Sequence, residues 1–197
     1  SLIVAAGPFA NFILAILIFA FIYMFAGKDF TPAQIQEVQK DSPAFIAGIK
    51  NGDIISSIDN NKVNSIMEVS AFINTSTNDQ INIEVLRNEK TLTFSVIPKS
   101  LEGKDTLGNT INKKIIGIKI SPLNDKINRE RLGPASALFY AVKETYFVTK
   151  TSMNFVVALF KGKGDTKQLG GPIKIAKITG QVAKHGVVAF LSIMAYI

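Results

Sequence analysis

SPAFIAGIKNGDIISSIDNNKV, residues 42 to 63, decides the fold, because nearly every change of direction it makes is written in residues with a known local preference. Ser42 can cap a short helix whose first position is Pro43, where the missing N–H removes no hydrogen bond. Gly48 suits the left-handed exit from that helix. Asn51-Gly52 is a tight-turn signal, and the strand DIISSI follows it. Asp59, Asn60 and Asn61 then turn the chain again.

Working outward, IQEV (35–38) is a strand candidate on the N-terminal side. On the C-terminal side, SIMEVSAFINTS (65–76) begins with Ser65 and has Glu68 three residues on, the pattern of a capping box. Ile66, Val69 and Ile73 fall on one helical face, with Met67 and Phe72 at its margins. QINIEVLR alternates with Ile81, Ile83 and Val85 on one side, KTLTFSV alternates with Leu92, Phe94 and Val96, and RNEK joins them as a hairpin. Pro98 ends that run. A polar, glycine-containing loop is expected from Ser100 to Asn112, then a final strand KIIGIKI (114–120). Strand, short helix, strand, longer helix, hairpin and late strand make an α+β domain.

The ends of the chain are apolar, in keeping with 47% hydrophobic residues and a mean hydropathy of +0.26. Residues 1–27 carry no charge and, as a helix rising about 1.5 Å per residue, exceed the ~30 Å of a hydrocarbon layer. They are read as a transmembrane helix. A signal peptide would need a basic n-region, and no basic residue precedes Lys28. VVAFLSIMAYI (187–197) is an apolar run about half as long as a crossing requires, so the sequence is expected to be an internal piece of a longer membrane protein. Residues 133–160 repeat apolar positions at helical spacing (Ala135, Leu138, Phe139, Val142, Tyr146, Thr149, Met153, Val156, Phe160). Lys143, Glu144 and Lys150 interrupt them, which argues for an amphipathic helix lying on a membrane or packed on the domain. LGGPIKIAKITG (169–180) and the opening AGPFAN (6–11) share a Gly-Pro step that reads as a helix start brought close to a neighbour. Asn11, an amide within an apolar run, is expected to face protein, either as packing glue or beside an intramembrane site. The resulting segments are 1–27, 28–122, 123–168 and 169–197.

There is no cysteine, which excludes disulfides and thiolate metal sites. The single histidine, His185, has no ligand partner at metal spacing, and no Ser/His/Asp or Cys/His set can be assembled. Residues 28–98 hold six Lys/Arg against nine Asp/Glu, whereas residues 99–184 hold sixteen against six; the sum of −3 and +10 is the net +7 of the chain. The basic half lies near anionic headgroups or is a solvated lysine-rich face. No nucleic-acid motif accompanies it, so no nucleic-acid partner is expected.

The 42–63 stretch resembles a PDZ domain of the circularly permuted bacterial type, with Asn61 where the pattern usually has glycine; the resemblance implies a left-handed conformation there, which asparagine tolerates. That resemblance implies a peptide-binding groove walled by Ile116, Gly117 and Ile118 on the last strand and by Val69 and Ile73 on the facing helix. AGPFAN (6–11), SPAFIAGIKNGD (42–53), QLGGPIKIAKITG (168–180) and AFLSI (189–193), in that order, resemble the site-2 protease family of intramembrane zinc metalloproteases. The resemblance implies a membrane protein of the bacterial cytoplasmic membrane, with α-helical transmembrane segments plus an α+β PDZ-like domain on the extracytoplasmic side. Its substrates would be membrane proteins such as anti-sigma factors or remnant signal peptides, with the PDZ domain as a gate opened by a first cut, and its partner the lipid bilayer. Gly7, Pro8 and Asn11 would line the helix beside the active site. In that family an H-E-x-x-H helix and an L-D-G aspartate hold zinc. Neither motif is present, so no catalytic or metal-binding residue is expected in this chain, which alone should be inactive. The alternative is a non-enzymatic, membrane-tethered PDZ adaptor or a secretion-system component.

Overall fold

The computed structural model describes residues 2–76, 78–104, 110–161, 172–183 and 186–196. The chain divides into two compact units, one of residues 1–28, 129–152 and 169–197, the other of residues 29–128 and 153–168. Its elements are α1 (Leu2–Phe25), β1 (Lys28–Asp29), β2 (Ala33–Val38), α2 (Pro43–Ala47), β3 (Ile54–Ile58), β4 (Asn61–Lys62), α3 (Ile66–Thr75), β5 (Ile81–Arg87), β6 (Lys90–Val96), β7 (Lys99–Lys104), β8 (Thr110–Ile115), β9 (Ile118–Pro122), β10 (Arg129–Glu130), α4 (Pro134–Phe160), α5 (Pro172–Ala183) and α6 (Val187–Tyr196).

In the second unit an antiparallel sheet has the order β6-β5-β3-β2-β9, with β4 on β3. The alternation predicted for β5 puts Ile81, Ile83 and Val85 wholly inside, against Ile35, Ile55, Ile58, Val69, Val96 and Ile116. The β5–β6 hairpin pairs Arg87 with Lys90. Its turn residues, Asn88 and Glu89, both have positive φ (50° and 63°), so the turn follows the right-handed twist of its strands. Ser42 caps α2 by accepting from the Phe45 N–H at 3.2 Å, and Gly48 ends the helix at φ 92°.

Four local expectations need correction. Ser65 is the N-cap of α3 but makes no side-chain cap bond. Glu68 instead accepts from the Asn64 N–H at 2.7 Å, one residue ahead of the cap. Asn61 is not left-handed. Asp59 and Asn60 are (φ 46° and 62°), and the Asn61 amide donates to the carbonyls of Ile58 and Asp59. The segment 100–112 is no simple loop, because β7 and β8 form a separate ladder from Lys99↔Ile115 to Lys104↔Thr110. KIIGIKI is accordingly two strands. Gly117, at φ 77°, breaks it, so Ile115 ends β8 while Ile118 begins β9 on β2.

In the first unit α1 is one helix that begins at Leu2 and runs through Gly7-Pro8, which therefore do not start it. A Cβ placed on Gly7 would meet nothing within 4 Å, so the expected close approach is not made among the described residues. The helix has no charged side chain, but its side chains are described only at Gly7 and from Phe9 to Phe25. Among the described residues no helix is long and apolar enough to cross a membrane. Pro172 does begin α5 as expected. The helix expected over 133–160 is α4, and the side that packs in the structure is not its large apolar stripe. Ala137, Ala141, Glu144 and Thr145 are buried, whereas Leu138, Phe139, Val142, Tyr146, Met153, Val156 and Phe160 are exposed. Small side chains let helix backbones approach closely, so here size outweighs hydrophobicity in choosing the packed face.

Candidate functional site

The sequence motif 42–53 is the scaffold of a groove. Asp53, only 1% exposed, accepts from the Lys50 N–H at 2.9 Å and pairs with Arg87 through both carboxylate oxygens, at 2.6 and 2.7 Å. Arg87 also donates to the Gly48 carbonyl at 3.0 Å, which locks the exit of α2 to the end of β5. The hydrogen bond to Asp53 and its Coulomb attraction hold the Arg87 guanidinium above its ordinary pKa, against the opposing effect of desolvation. Fixed in this way, α2 points its first free N–H group at the loop between β8 and β9. The Ala44 N–H donates to Ile116 O at 2.9 Å, and the Gln39 N–H donates to Gly117 O at the same distance. Gly117 is required there, since a Cβ would overlap that of Ser42 and stand 2.9 Å from its Oγ.

Between this loop and α3 lies a cavity of about 230 Å³ lined by Val69, Ile73, Ile116, Gly117, Ile118 and by Gln39, Ser70, Asn74, Lys114, Ile115 and Ile120. All five residues assigned to the groove from sequence are thus brought together around one cavity. Val69, Ile73 and Ile116 are at most 5% exposed and form an apolar floor that belongs equally to the core. β9 is the last strand of the sheet and, among the described residues, is hydrogen-bonded only to β2, so its other edge offers backbone groups to the cavity. One end is closed, because the Lys114 N–H donates to Asn74 Oδ1 at 3.1 Å and its ammonium donates to Ser76 O. Gln39, Ser70 and Asn74 escaped the sequence reading. The α3 pair follows from the i+1 neighbours of Val69 and Ile73, whereas Lys114 already opens the segment that the resemblance assigns to the groove strand and its loop.

Asn11 lies in the other unit, exposed on α1, and its amide has no hydrogen-bond partner among the described residues. The partner expected for it is not found there. Among the described residues no group of three or more His, Cys, Asp or Glu could hold a metal, and His185 lies outside them. The described residues do not fit a zinc site, and no chemical step is assigned to them.

Among solved structures, the chain is similar to the PDZ domain of an SdrC-like protein from Listeria monocytogenes (23% identity, 46% of this chain and 88% of that one, TM-score 0.36). A second is the corresponding domain from Listeria innocua (26%, 45% and 92%, TM-score 0.35). Among curated proteins, an Agrobacterium fabrum protein named "Putative zinc metalloprotease Atu1380" is 34% identical over 98% of this chain and 51% of its own length. A Mesorhizobium japonicum protein of the same printed designation, mll0638, is 34% identical over 93% and 50%. Metalloprotease MmpA of Caulobacter vibrioides is 31% identical over 95% and 46%. The chain spans about half the length of these relatives. Residues 1–197 match peptidase family M50, the site-2 protease family, from end to end, and the chain belongs to that family.

Proposed function

We propose that the chain is the central portion of a membrane-embedded zinc metalloprotease that cuts substrates within their membrane-spanning segments, and that the groove between α3 and β9 selects those substrates. Membership of family M50 supports the protease reading, and the printed names of the relatives supply zinc. The zinc ligands then belong to parts of the full-length protein outside these residues. α1, taken over its whole backbone at about 1.5 Å per residue, is about 36 Å long and free of charge, enough to cross a ~30 Å hydrocarbon layer. The membrane is the bacterial cytoplasmic membrane, and the sheet unit stands on its extracytoplasmic side.

The single observation that carries the groove's role is the open edge of β9 beside an apolar floor and a helix. An extended peptide adds to such an edge as a further strand, its main chain giving affinity and its alternate side chains giving specificity. The substrate offered would be an anti-sigma factor or remnant signal peptide already trimmed outside the membrane.

A probe that blocks this groove must enter from α3. A side chain at Gly117 runs into Ser42, while Ser70 is exposed and lines the cavity. The test uses full-length, zinc-loaded protein in lipid vesicles with one single-span substrate, intact and pre-trimmed. Ser70→Trp is expected to change the trimmed-to-intact cleavage ratio at least about fivefold at unchanged melting temperature, which corresponds to the ~1 kcal/mol of one strand-addition contact. An unchanged ratio refutes the groove's role, and absence of cleavage by the wild-type protein refutes the protease reading.

A further inference from the structure

We propose that Glu144 is a positioning residue of the enzyme, a buried carboxylate that pins the end of α1 and the end of α6 to α4. The proposal rests on the protease reading above for its effect on catalysis, but not for its geometry. Glu144 lies in the middle of α4 and is 8% exposed. Its Oε2 accepts from Tyr23 Oη and from Lys28 Nζ, both at 2.9 Å, and its Oε1 accepts from Tyr196 Oη, also at 2.9 Å. Lys28 is equally buried, with its ammonium 4.9 Å from the centre of the Tyr23 ring and 5.9 Å from that of Tyr140. Around this polar centre pack Phe19, Ile22, Ala137, Ala141 and Ala195, and Phe19 meets Tyr196 edge-on at 5.1 Å.

Apolar contact alone would hold three such helices together, and a buried ion pair often contributes less to stability than apolar residues of the same volume. The carboxylate does something apolar contact does not, which is to fix register. Helices of Ala, Phe and Ile can slide past one another at small cost, but only one placement of α6 puts the Tyr196 hydroxyl on the oxygen that Tyr23 and Lys28 leave open. A slip of one residue would leave part of a buried carboxylate without its partner. Glu144 therefore sets where the chain leaves α1 and where it leaves α6. An enzyme whose reacting groups lie on neighbouring helices loses rate when such placement drifts by about 1 Å.

The absence of cysteine in this chain supplies a readout independent of activity. In full-length protein in membranes, without other cysteines, Ala141→Cys and Ala195→Cys are to be joined by a short thiol cross-linker. Glu144→Gln removes the buried negative charge that faces the Lys28 ammonium. It should lower the cross-link yield and reduce kcat about tenfold, with KM unchanged within about twofold. Tyr196→Phe removes one hydrogen bond and should lower kcat about threefold at unchanged melting temperature. Lys28→Met combined with Glu144→Gln should regain the melting temperature, because no buried charge is left, while the cross-link stays below wild type. Unchanged cross-linking in Glu144→Gln overturns the proposal, as does a loss of kcat that only tracks the loss of folded protein. Wild-type protein that cleaves nothing refutes the protease reading, and Glu144 is then judged by the cross-link alone.

Discussion

Gly117→Ala tests whether the loop at the head of the groove is held by contact with Ser42 or merely by its own backbone preference. Two costs can be separated. Gly117 has φ 77°, and placing an L residue in the left-handed region costs about 1–2 kcal/mol. The new methyl would also overlap the Ser42 Cβ and lie 2.9 Å from Oγ, at a serine that is itself buried and caps α2. Neither atom is the end of a flexible side chain, so loop or helix must move, and forced overpacking of this kind costs about 1–3 kcal/mol. Together the loss is about 2–5 kcal/mol, or roughly 10–25 °C in the melting temperature of a unit of this size. Gly52 provides the internal standard. Its φ is 89°, but a Cβ there meets nothing within 4 Å, so Gly52→Ala should show the backbone cost alone. Ser42→Gly, added to Gly117→Ala, removes the atoms that clash and should recover about 1–3 kcal/mol, since glycine at an N-cap costs only a few tenths. The assay is thermal unfolding of the purified protein in detergent, followed by circular dichroism. If Gly117→Ala costs no more than Gly52→Ala, or if Ser42→Gly restores nothing, the loop is not braced by α2 and the structural meaning given to Ser42 fails.

Two further substitutions test the turns. Glu89 sits at φ 63° in the two-residue turn between β5 and β6, so Glu89→Gly is expected to stabilise by about 0.5–1 kcal/mol, read as a higher urea midpoint at unchanged slope. Asn61→Gly supplies the residue usual in the PDZ pattern, yet it is expected to destabilise by about 1 kcal/mol in the same assay, because Asn61 has negative φ and its amide closes the turn onto Ile58 and Asp59. Stabilisation by Asn61→Gly would mean that the amide bonds contribute nothing.

The sheet unit was legible because its signals are local and redundant. Ile81, Ile83 and Val85 alternate and are all fully buried, and Ser42-Pro43 and Gly48 mark both ends of a helix only five residues long. The β7–β8 ladder was not legible, because KSLEGK and TINKKI offer no buried alternation and are held by pairing with each other, a non-local property. The groove fell between these cases. Its five assigned residues came from a resemblance and did converge, but the break at Gly117 that forms the loop reads in sequence as continuity.

Reading α4 by apolar spacing concealed the polar centre. Hydrophobicity singles out Leu138, Phe139, Val142 and Tyr146 as a stripe that faces either a membrane or the domain, and it makes Glu144 an interruption. In the structure the packed stripe is Ala137, Ala141, Glu144 and Thr145, spaced by four, three and one. Between soluble helices large apolar residues are the reward for contact, and hydrophobicity finds the interface. Where the surroundings are themselves apolar, large side chains gain little by turning inward, and the inner face is chosen by how closely backbones can approach and by which polar groups need each other. An inward carboxylate among alanines, with Phe139 and Tyr146 turned out beside exposed Lys143 and Lys150, is the pattern of an amphipathic helix whose outer apolar side meets lipid or further helices. The same residues that defeat a reading of α4 as an ordinary soluble helix therefore support the membrane placement proposed for this unit, on grounds separate from the length of α1.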